Sequence, residues 1–334
     1  MAETAAQTIC VIIAAKNAAD TIGIAIQSAL NEVYVSEVVV VDDGSTDRTA
    51  AVARETDDGS GRLSVVSFAE NRGPSAARNH AISISSAPLI AILDADDFYF
   101  PGRFAPMMAE DGWDMIADNI AFIYDPAEFL HPERFEARAR TMSLVEFVDG
   151  NISRRGVQRG ETGFLKPVMS RAFLDTHGLR YREEMRLGED YDFYVRALAR
   201  GARYKVIEHC GYGAIVRGDS LSSRHRTADL QTFYEADEAI IADPALPSKA
   251  RASVRRHRDH IRDKYELRAF LDVKREGGKI AAIRHMLARP QALPAVAGGI
   301  LRDKLDGLRA RTAKAPAEPV ATRYLLPGIP AVQK

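Results

Sequence analysis

Short apolar runs alternate with amphipathic stretches through the first hundred residues. TICVIIA (8–14) is apolar and largely β-branched, the pattern of a strand covered on both faces. Within 18–31, Ile22, Ile26, Ala29 and Leu30 recur at helical spacing. SEVVVVDD (36–43) predicts a second strand. Asp43-Gly44-Ser45-Thr46-Asp47 is turn chemistry, with Ser45 or Asp47 available to cap a helix over Thr49–Glu55. RLSVVSF (62–68) predicts a third strand, AARNHAISIS a helix after NRGPS, and APLIAIL (87–93) a fourth strand. This alternation predicts an α/β domain with a largely parallel sheet. Right-handed crossovers then bring the strand C-termini to one edge, where open α/β sheets bind ligands.

Polar clusters follow those strands. Asn17 comes soon after the first, Asp42 and Asp43 end the second, Asn71 and Arg72 follow the third, and Asp94 and Asp96 follow the fourth. Four separate segments therefore deliver polar groups to one crevice. Farther on, MIADNIAFIY (115–124) predicts a strand, 126–162 reads as irregular, and helical patterns return at 171–178 and 190–201. Two short strands are expected at 203–209 and 212–217. From about 226 the chain reads as charged helices, ending in a Pro-rich tail over 315–334 that is expected to be mobile.

Composition narrows the class. With 46% hydrophobic and 27% charged residues in a chain of 334, an ordinary core is affordable, and collagen-like or wholly disordered readings are excluded. Cys10 and Cys210, far apart, offer neither a metal spacing nor a disulfide framework. The start, MAETAAQT, lacks the basic segment and apolar stretch of a signal peptide, so a cytoplasmic location is expected. The net charge of −1 hides an asymmetry: residues 251–311 hold 16 basic and 7 acidic side chains. Arg251, Arg255, Arg256, Arg258, Arg262, Lys264 and Arg268 precede an apolar stripe of Ile280, Ile283, Met286 and Leu287. Such a stretch can lie on an anionic membrane, and packing within the protein explains it equally well.

The chemistry concentrates in two acidic motifs. Asp94-Ala95-Asp96-Asp97 follows the strand LIAIL, and oxygen ligands of this kind suit Mg2+ or Mn2+ with a substrate diphosphate. A charged turn before the helix expected near Pro101 would use the same residues. Leu187-Gly188-Glu189-Asp190 leads into YDFYVRALARG, where carboxylates also complement a helix start. Taken together, the motifs suit glycosyl transfer from a nucleotide sugar. One carboxylate takes the proton of the attacking hydroxyl, and a cation neutralises the departing diphosphate. The second carboxyl acid of a glycosidase is then unnecessary.

VIIAAKNAADTIGIAIQSAL, VVVVDDGSTDRTA, AENRGPSAARNHAI, LIAILDADD and LGEDYDFYVRAL, in this order, resemble glycosyltransferase family 2. The first block and the overall length look most like the bacterial enzymes of succinoglycan-type exopolysaccharide assembly. The resemblance spans 8 to about 225. It implies a GT-A fold over 1–225, with a Rossmann-like nucleotide-binding half (1–97), an acceptor-binding half (98–225) and a mixed central sheet. A basic helical extension would cover 226–314. It further implies that Asp43 bonds the nucleotide base, with Ala14, Ala15 and Asn17 lining its pocket, and that Arg72 and Arg78 help hold the nucleotide. Asp94 and Ala95 would lie at the ribose, Asp96 with Asp94 at the Mn2+ or Mg2+ ion. Asp190 would be the general base, and Glu189 would orient hydroxyls. Arg217, opening the lid-like segment 217–222, would touch the diphosphate.

The implied donor is a UDP-sugar, with UDP-glucose the first choice. The implied acceptor is a lipid-linked glycan, met on the cytoplasmic face of the inner membrane; nucleic acid is not an expected partner. Lys16 departs from the family, standing where many members carry an aromatic residue, and is expected to reach phosphate or solvent. The Gln-x-x-Arg-Trp sequence of processive synthases is absent, so one sugar per encounter is expected. Lys166 reads equally as an acceptor-facing or a solvated lysine. A nucleotidyltransferase would need a Gly-rich phosphate loop, which AAKNAAD lacks. A non-catalytic glycan-binding protein would be expected to have lost one of the carboxylate pairs, and both are intact. No G-x-G-x-x-G opens a helix, which excludes hydride transfer on a dinucleotide.

Overall fold

A computed structural model describes residues 7–124, 132, 138–153, 162–216, 226–312 and 322–326. The chain forms two compact units, Met1–Gly218 with Ala321–Lys334, and Asp219–Val320.

The first unit is built on one mixed sheet. The parallel strands β1 (Ile9–Ala15), β2 (Val35–Asp42), β3 (Leu63–Ser67) and β4 (Leu89–Ile92) alternate with α1 (Ile22–Leu30), α2 (Thr49–Glu55) and α3 (Pro74–Ile84). Ile9–Ile13, Val38–Val41 and Ile90–Ile92 are buried, so these strands are covered on both faces as their unbroken apolar runs require. Pro74 starts α3, where its fixed φ suits a helix and its missing N–H costs no bond. The chain continues through β5 (Phe98–Tyr99), α4 (Phe104–Met108), β6 (Met115–Ile123), β7 (Ala139–Thr141), α5 (Leu144–Gly150), β8 (Val168–Ser170), α6 (Arg171–Thr176), α7 (Glu189–Ala199) and β9 (Tyr204–Ile215). The sheet order is β3-β2-β1-β4-β8-β6-β9-β5, with β7 beside β9.

The central sheet is mixed, as expected: it stops being parallel at β8, which runs antiparallel between β4 and β6. Other sequence expectations change. The two strands expected at 203–209 and 212–217 are one long strand, β9, with register shifts in its pairing to β6. The stretch read as irregular contains β7 and α5, the latter capped by Ser143 accepting from the Glu146 N–H.

The tail expected to be mobile includes a further strand, β10 (Thr322–Tyr324), antiparallel to β6. Leu325 and Leu326 are buried there. The Asn119 side chain exchanges two hydrogen bonds with the Leu326 backbone, donating to its carbonyl at 3.0 Å and accepting from its N–H at 2.8 Å.

The second unit is helical: α8 (Thr227–Ala242), α9 (Arg251–Ala288) and α10 (Leu293–Thr312). Val254, His257 and Ile261 of α9 are buried, as are Phe233 and Asp237 of α8. His257 Nδ1 meets Asp237 Oδ2 at 2.6 Å.

Candidate active site

Because β1 to β4 are parallel, their C-terminal ends share an edge. At the first three ends the loops are laced together. The Asp43 N–H donates to the Ala15 carbonyl at 2.8 Å. Asn17, at φ 48, accepts from the Thr46 N–H at 2.9 Å, and its own N–H donates to Ser45 Oγ at 2.9 Å. A left-handed asparagine is tolerated because its short side chain bonds locally.

Asp43 is buried and receives the backbone N–H groups of Arg72 at 2.6 Å and Gly73 at 2.9 Å. Lys16 is exposed to solvent, as expected, and also braces the backbone. Its ammonium donates to the carbonyls of Asp43 at 3.2 Å and Gly44 at 2.9 Å, bracing the loop after β2. Arg72 projects over the Phe68 ring at 4.8 Å and lies 3.5 Å from Glu183.

The fourth strand end meets the start of α7 through two buried cations. Arg78, on α3, contacts Asp94 at 3.0 Å, Glu189 at 3.1 Å and Asp190 at 3.2 Å. Lys166, just before β8, contacts Asp94 and Asp190 at 2.9 Å each. Asp94 and Asp190 thus each give one oxygen to the guanidinium and the other to the ammonium. Burial alone would raise the Asp94 carboxyl, but Lys166 and Arg78 outweigh it and hold that carboxyl down to about 2. Glu189 is shifted the other way, raised by burial and by neighbouring Asp190 against the pull of Arg78.

Local structure explains why α7 starts where it does. Gly188 stands before it at φ 74, a left-handed conformation suited to glycine, and Glu189, Asp190 and Asp192 occupy the first turn, where negative charge meets the positive helix end. Tyr181 stacks on Phe193 of α7 at 4.4 Å, and Arg78 lies over the Tyr181 ring at 5.3 Å. Asn79 of α3 donates to the Tyr181 carbonyl at 2.9 Å and accepts from its N–H at 2.8 Å. The GED segment is therefore anchored to the helix that carries Arg78.

Two positions named in the sequence reading take places it left undecided. Lys166 is buried between carboxylates rather than solvated. A single lysine in GFLKPVM has no periodicity to mark it. Asp97, the last acid of the LDADD run, is a strut: it accepts from Tyr212 Oη at 2.7 Å and the Ile215 N–H at 3.1 Å. Burial, with repulsion from Asp94 and Asp96, pushes its carboxyl well above the usual range.

Ala95 is buried beside Asp94, and Asp96 is partly exposed on the same turn. Among the described residues no group of three His, Cys, Asp or Glu side chains is placed to hold a metal. Asp94, like Asp190, has both oxygens on Arg78 and Lys166, so for either to bind a cation or take a proton it would have to give up one of these contacts. The hard oxygen of Asp96 fits a Mg2+ or Mn2+ that arrives with a diphosphate, since such ions commonly take one or two carboxylates plus phosphate oxygens. Arg217 and the rest of 217–222 lie outside the described residues.

Comparison with known proteins places this geometry. The model of glycosyl transferase family 2 matches residues 10–174. The succinoglycan biosynthesis protein ExoU of Rhizobium meliloti (strain 1021) is 60% identical over 336 residues, spanning 98% of this chain and 97% of that protein. The chain belongs to glycosyltransferase family 2. It is a sugar-transferring enzyme of the GT-A fold, as its motifs led us to expect.

Solved structures agree on the fold. S. aureus TarS 1-349 in complex with UDP-GlcNAc gives a TM-score of 0.60 at 22% identity, covering 86% of this chain and 79% of that one. The mannosyltransferase PcManGT from Pyrobaculum calidifontis, in complex with GDP-Man and Mn2+, gives 0.52 at 19% identity, covering 90% and 81%.

Proposed function

We propose that this family 2 enzyme is an inverting transferase that moves one sugar, glucose from UDP-glucose, to a hydroxyl of a lipid-linked exopolysaccharide repeat unit. One observation carries the reading: Arg78 and Lys166 each bridge Asp94, after β4, to Asp190, at the start of α7. Carboxylates almost a hundred residues apart in the chain thereby meet at the strand-end edge of the sheet.

In this mechanism the loops ending β1 to β3, with Ala14, Ala15, Asn17, Asp43 and Arg72, hold the nucleotide, and Asp94 with Ala95 faces the ribose. Asp190 accepts the proton of the acceptor hydroxyl as its oxygen attacks the anomeric carbon. The bond from that carbon to the diphosphate oxygen breaks on the opposite face, and UDP leaves with the bonding pair. Attack opposite the leaving group inverts the anomeric centre. Lys166 and Arg78 compensate the charge that three close carboxylates would otherwise bury together. Glu189, on the same guanidinium, orients a sugar hydroxyl. Asp96 would hold a divalent cation, which when bound would supply positive charge beside the departing diphosphate. Arg217 would act on the same group.

The proposed donor and acceptor draw support from the relatives: ExoU is by name a succinoglycan biosynthesis protein, and TarS was solved with UDP-GlcNAc. The cation draws support from the Mn2+ in PcManGT. A lipid-linked acceptor puts the reaction on the cytoplasmic face of a membrane. No helix among the described residues is long and apolar enough to cross one.

The test is UDP release from a panel of UDP-sugars with a lipid-linked acceptor extract, with Mn2+ and after chelation. UDP-glucose is expected to turn over only with acceptor and cation present. Equal release from the chelated enzyme contradicts the cation, and nucleotide-sugar synthesis from sugar phosphate contradicts the transferase. Calorimetry of Asp96→Ala checks the ligand: UDP affinity in Mn2+ should fall about tenfold or more, as loss of one charged ligand implies.

A further inference from the structure

The helical unit carries an apolar surface that its own packing leaves uncovered. Gly278, at φ 72 and ψ −171, breaks α9 and separates a short second segment, 279–288, from the long first one. That segment turns through Pro290–Ala292 into α10. The hairpin is anchored from one side. Arg289 pairs with buried Glu266 at 2.8 Å, Ala292 and Val296 are buried, and Gly299 sits so close to Leu267 that an added Cβ would come within 2.5 Å of it.

The opposite side has no such cover. Ile280, Ile283 and Leu287 stand at i, i+3 and i+7, and Leu293, Leu301 and Leu305 line α10 at multiples of four residues. All six are between 40% and 76% exposed. Single exposed aliphatic residues are ordinary, but six on one hairpin are a concentration of the kind that marks an interaction site.

The charges on this hairpin identify its occupant. Residues 279–305 contain Lys279, Arg284, Arg289, Arg302 and Lys304 against a single carboxylate, Asp303. Lys279, Arg284 and Arg302 are exposed among the aliphatic side chains. A second copy of the chain would oppose like charges. An anionic bilayer supplies both an apolar interior and a negative headgroup plane, the combination that in-plane amphipathic helices need.

We infer that the hairpin 279–305 is the membrane-docking surface of this enzyme, lying in the headgroup plane of an anionic bilayer. The structure also moves the surface from where the basic sequence alone suggested. Many of the arginines of 251–268 are spent inside the unit: Arg251 on the Ile241 carbonyl, Arg258 on Glu238 at 3.1 Å, and Arg256 on Ser253 at 2.9 Å. The inference deepens the lipid-linked acceptor reading and rests on it for its biological purpose, while the binding itself is independent of transfer.

The experiment is flotation of the full chain with vesicles of phosphatidylcholine and phosphatidylglycerol, against phosphatidylcholine alone, without donor or acceptor. The protein should float with the anionic vesicles and release as salt is raised. Ile283→Ser with Leu287→Ser removes aliphatic surface without touching the core and should lower partitioning at least about tenfold. Lys279→Gln with Arg284→Gln and Arg302→Gln should lower it about 100-fold and abolish the salt dependence. Unchanged circular dichroism and unchanged UDP release with a delipidated, water-soluble acceptor are expected of both variants. Failure of the wild-type chain to float with anionic vesicles, or flotation of the serine variant at wild-type level, overturns the inference. So does a lipid-free dimer that the serine variant converts to monomer. None of these failures bears on transfer, and loss of transfer with intact flotation would overturn the catalytic reading alone.

Discussion

Lys166 shows how much one side chain can decide. Its ammonium is buried between Asp94 and Asp190 and is raised above the ordinary lysine value, where burial would lower it but those two carboxylates more than compensate. Replacing it with methionine leaves the volume nearly filled and two carboxylates short of a partner. Lys166→Met should cost about 3–5 kcal/mol, the range for removing one member of a buried pair, read as a lower denaturation midpoint. A second readout separates charge from packing. Asp94 is held at about 2 in the folded protein against 3.8 as its ordinary value, so its share of stability is present above 3.8 and lost as pH falls through about 2. Without Lys166 that loss begins at higher pH, and the acid-unfolding midpoint followed by circular dichroism should move up. An unchanged midpoint contradicts the assignment. Glu189 has the opposite sign: its raised carboxyl favours the folded state at low pH and loses that contribution as pH rises through its folded value.

Among the elements, β9 ties the site to the sheet core. Asp118 of β6 and Arg103 form an ion pair at 2.9 Å with no exposure of either side chain, and Arg103 also donates to the Lys166 carbonyl at 2.6 Å. Gly211 of β9 makes room for both, since a Cβ there would stand 2.6 Å from Asp118 Oδ2 and closer still to the Arg103 stem. Gly211→Ala should therefore destabilise by about 1–3 kcal/mol, the usual cost of overpacking, and slow transfer by displacing Lys166. Calorimetric melting that matches wild type would contradict this linkage. The strands β1 to β4 were legible in sequence because each is a continuous apolar run ending in polar residues. The rest of the sheet was not. β8 offers only three residues, and β9 is interrupted by Gly211 and Gly213, which read as a break yet accommodate neighbours within one strand. Of the site, Asp94, Asp190, Glu189 and Arg78 were legible because they fall in motifs, whereas Lys166 depends on a tertiary bridge no local pattern records.

At the scale of the molecule, chain segments remote in sequence complete one another. Thr322–Tyr324 extends the sheet at β6, and the buried Asn119 side chain has its amide satisfied by Leu326. A Pro-rich tail gives no sequence sign of this, because the pairing is decided by the open edge of β6 rather than by the tail's own propensity. Ending the chain after residue 320 should strand that amide and lower stability by about 1–3 kcal/mol per unpaired buried group, measured as a reduced melting temperature. The same long-range logic builds the proposed catalytic site, where α7 brings Asp190 to the strand ends. The most direct measurement is turnover of UDP-glucose with its acceptor by Asp190→Asn, alongside calorimetric UDP binding. Loss of the proton acceptor should cut turnover by about 10²–10⁴-fold while UDP affinity stays within a few-fold of wild type. Turnover at the wild-type rate would contradict the account.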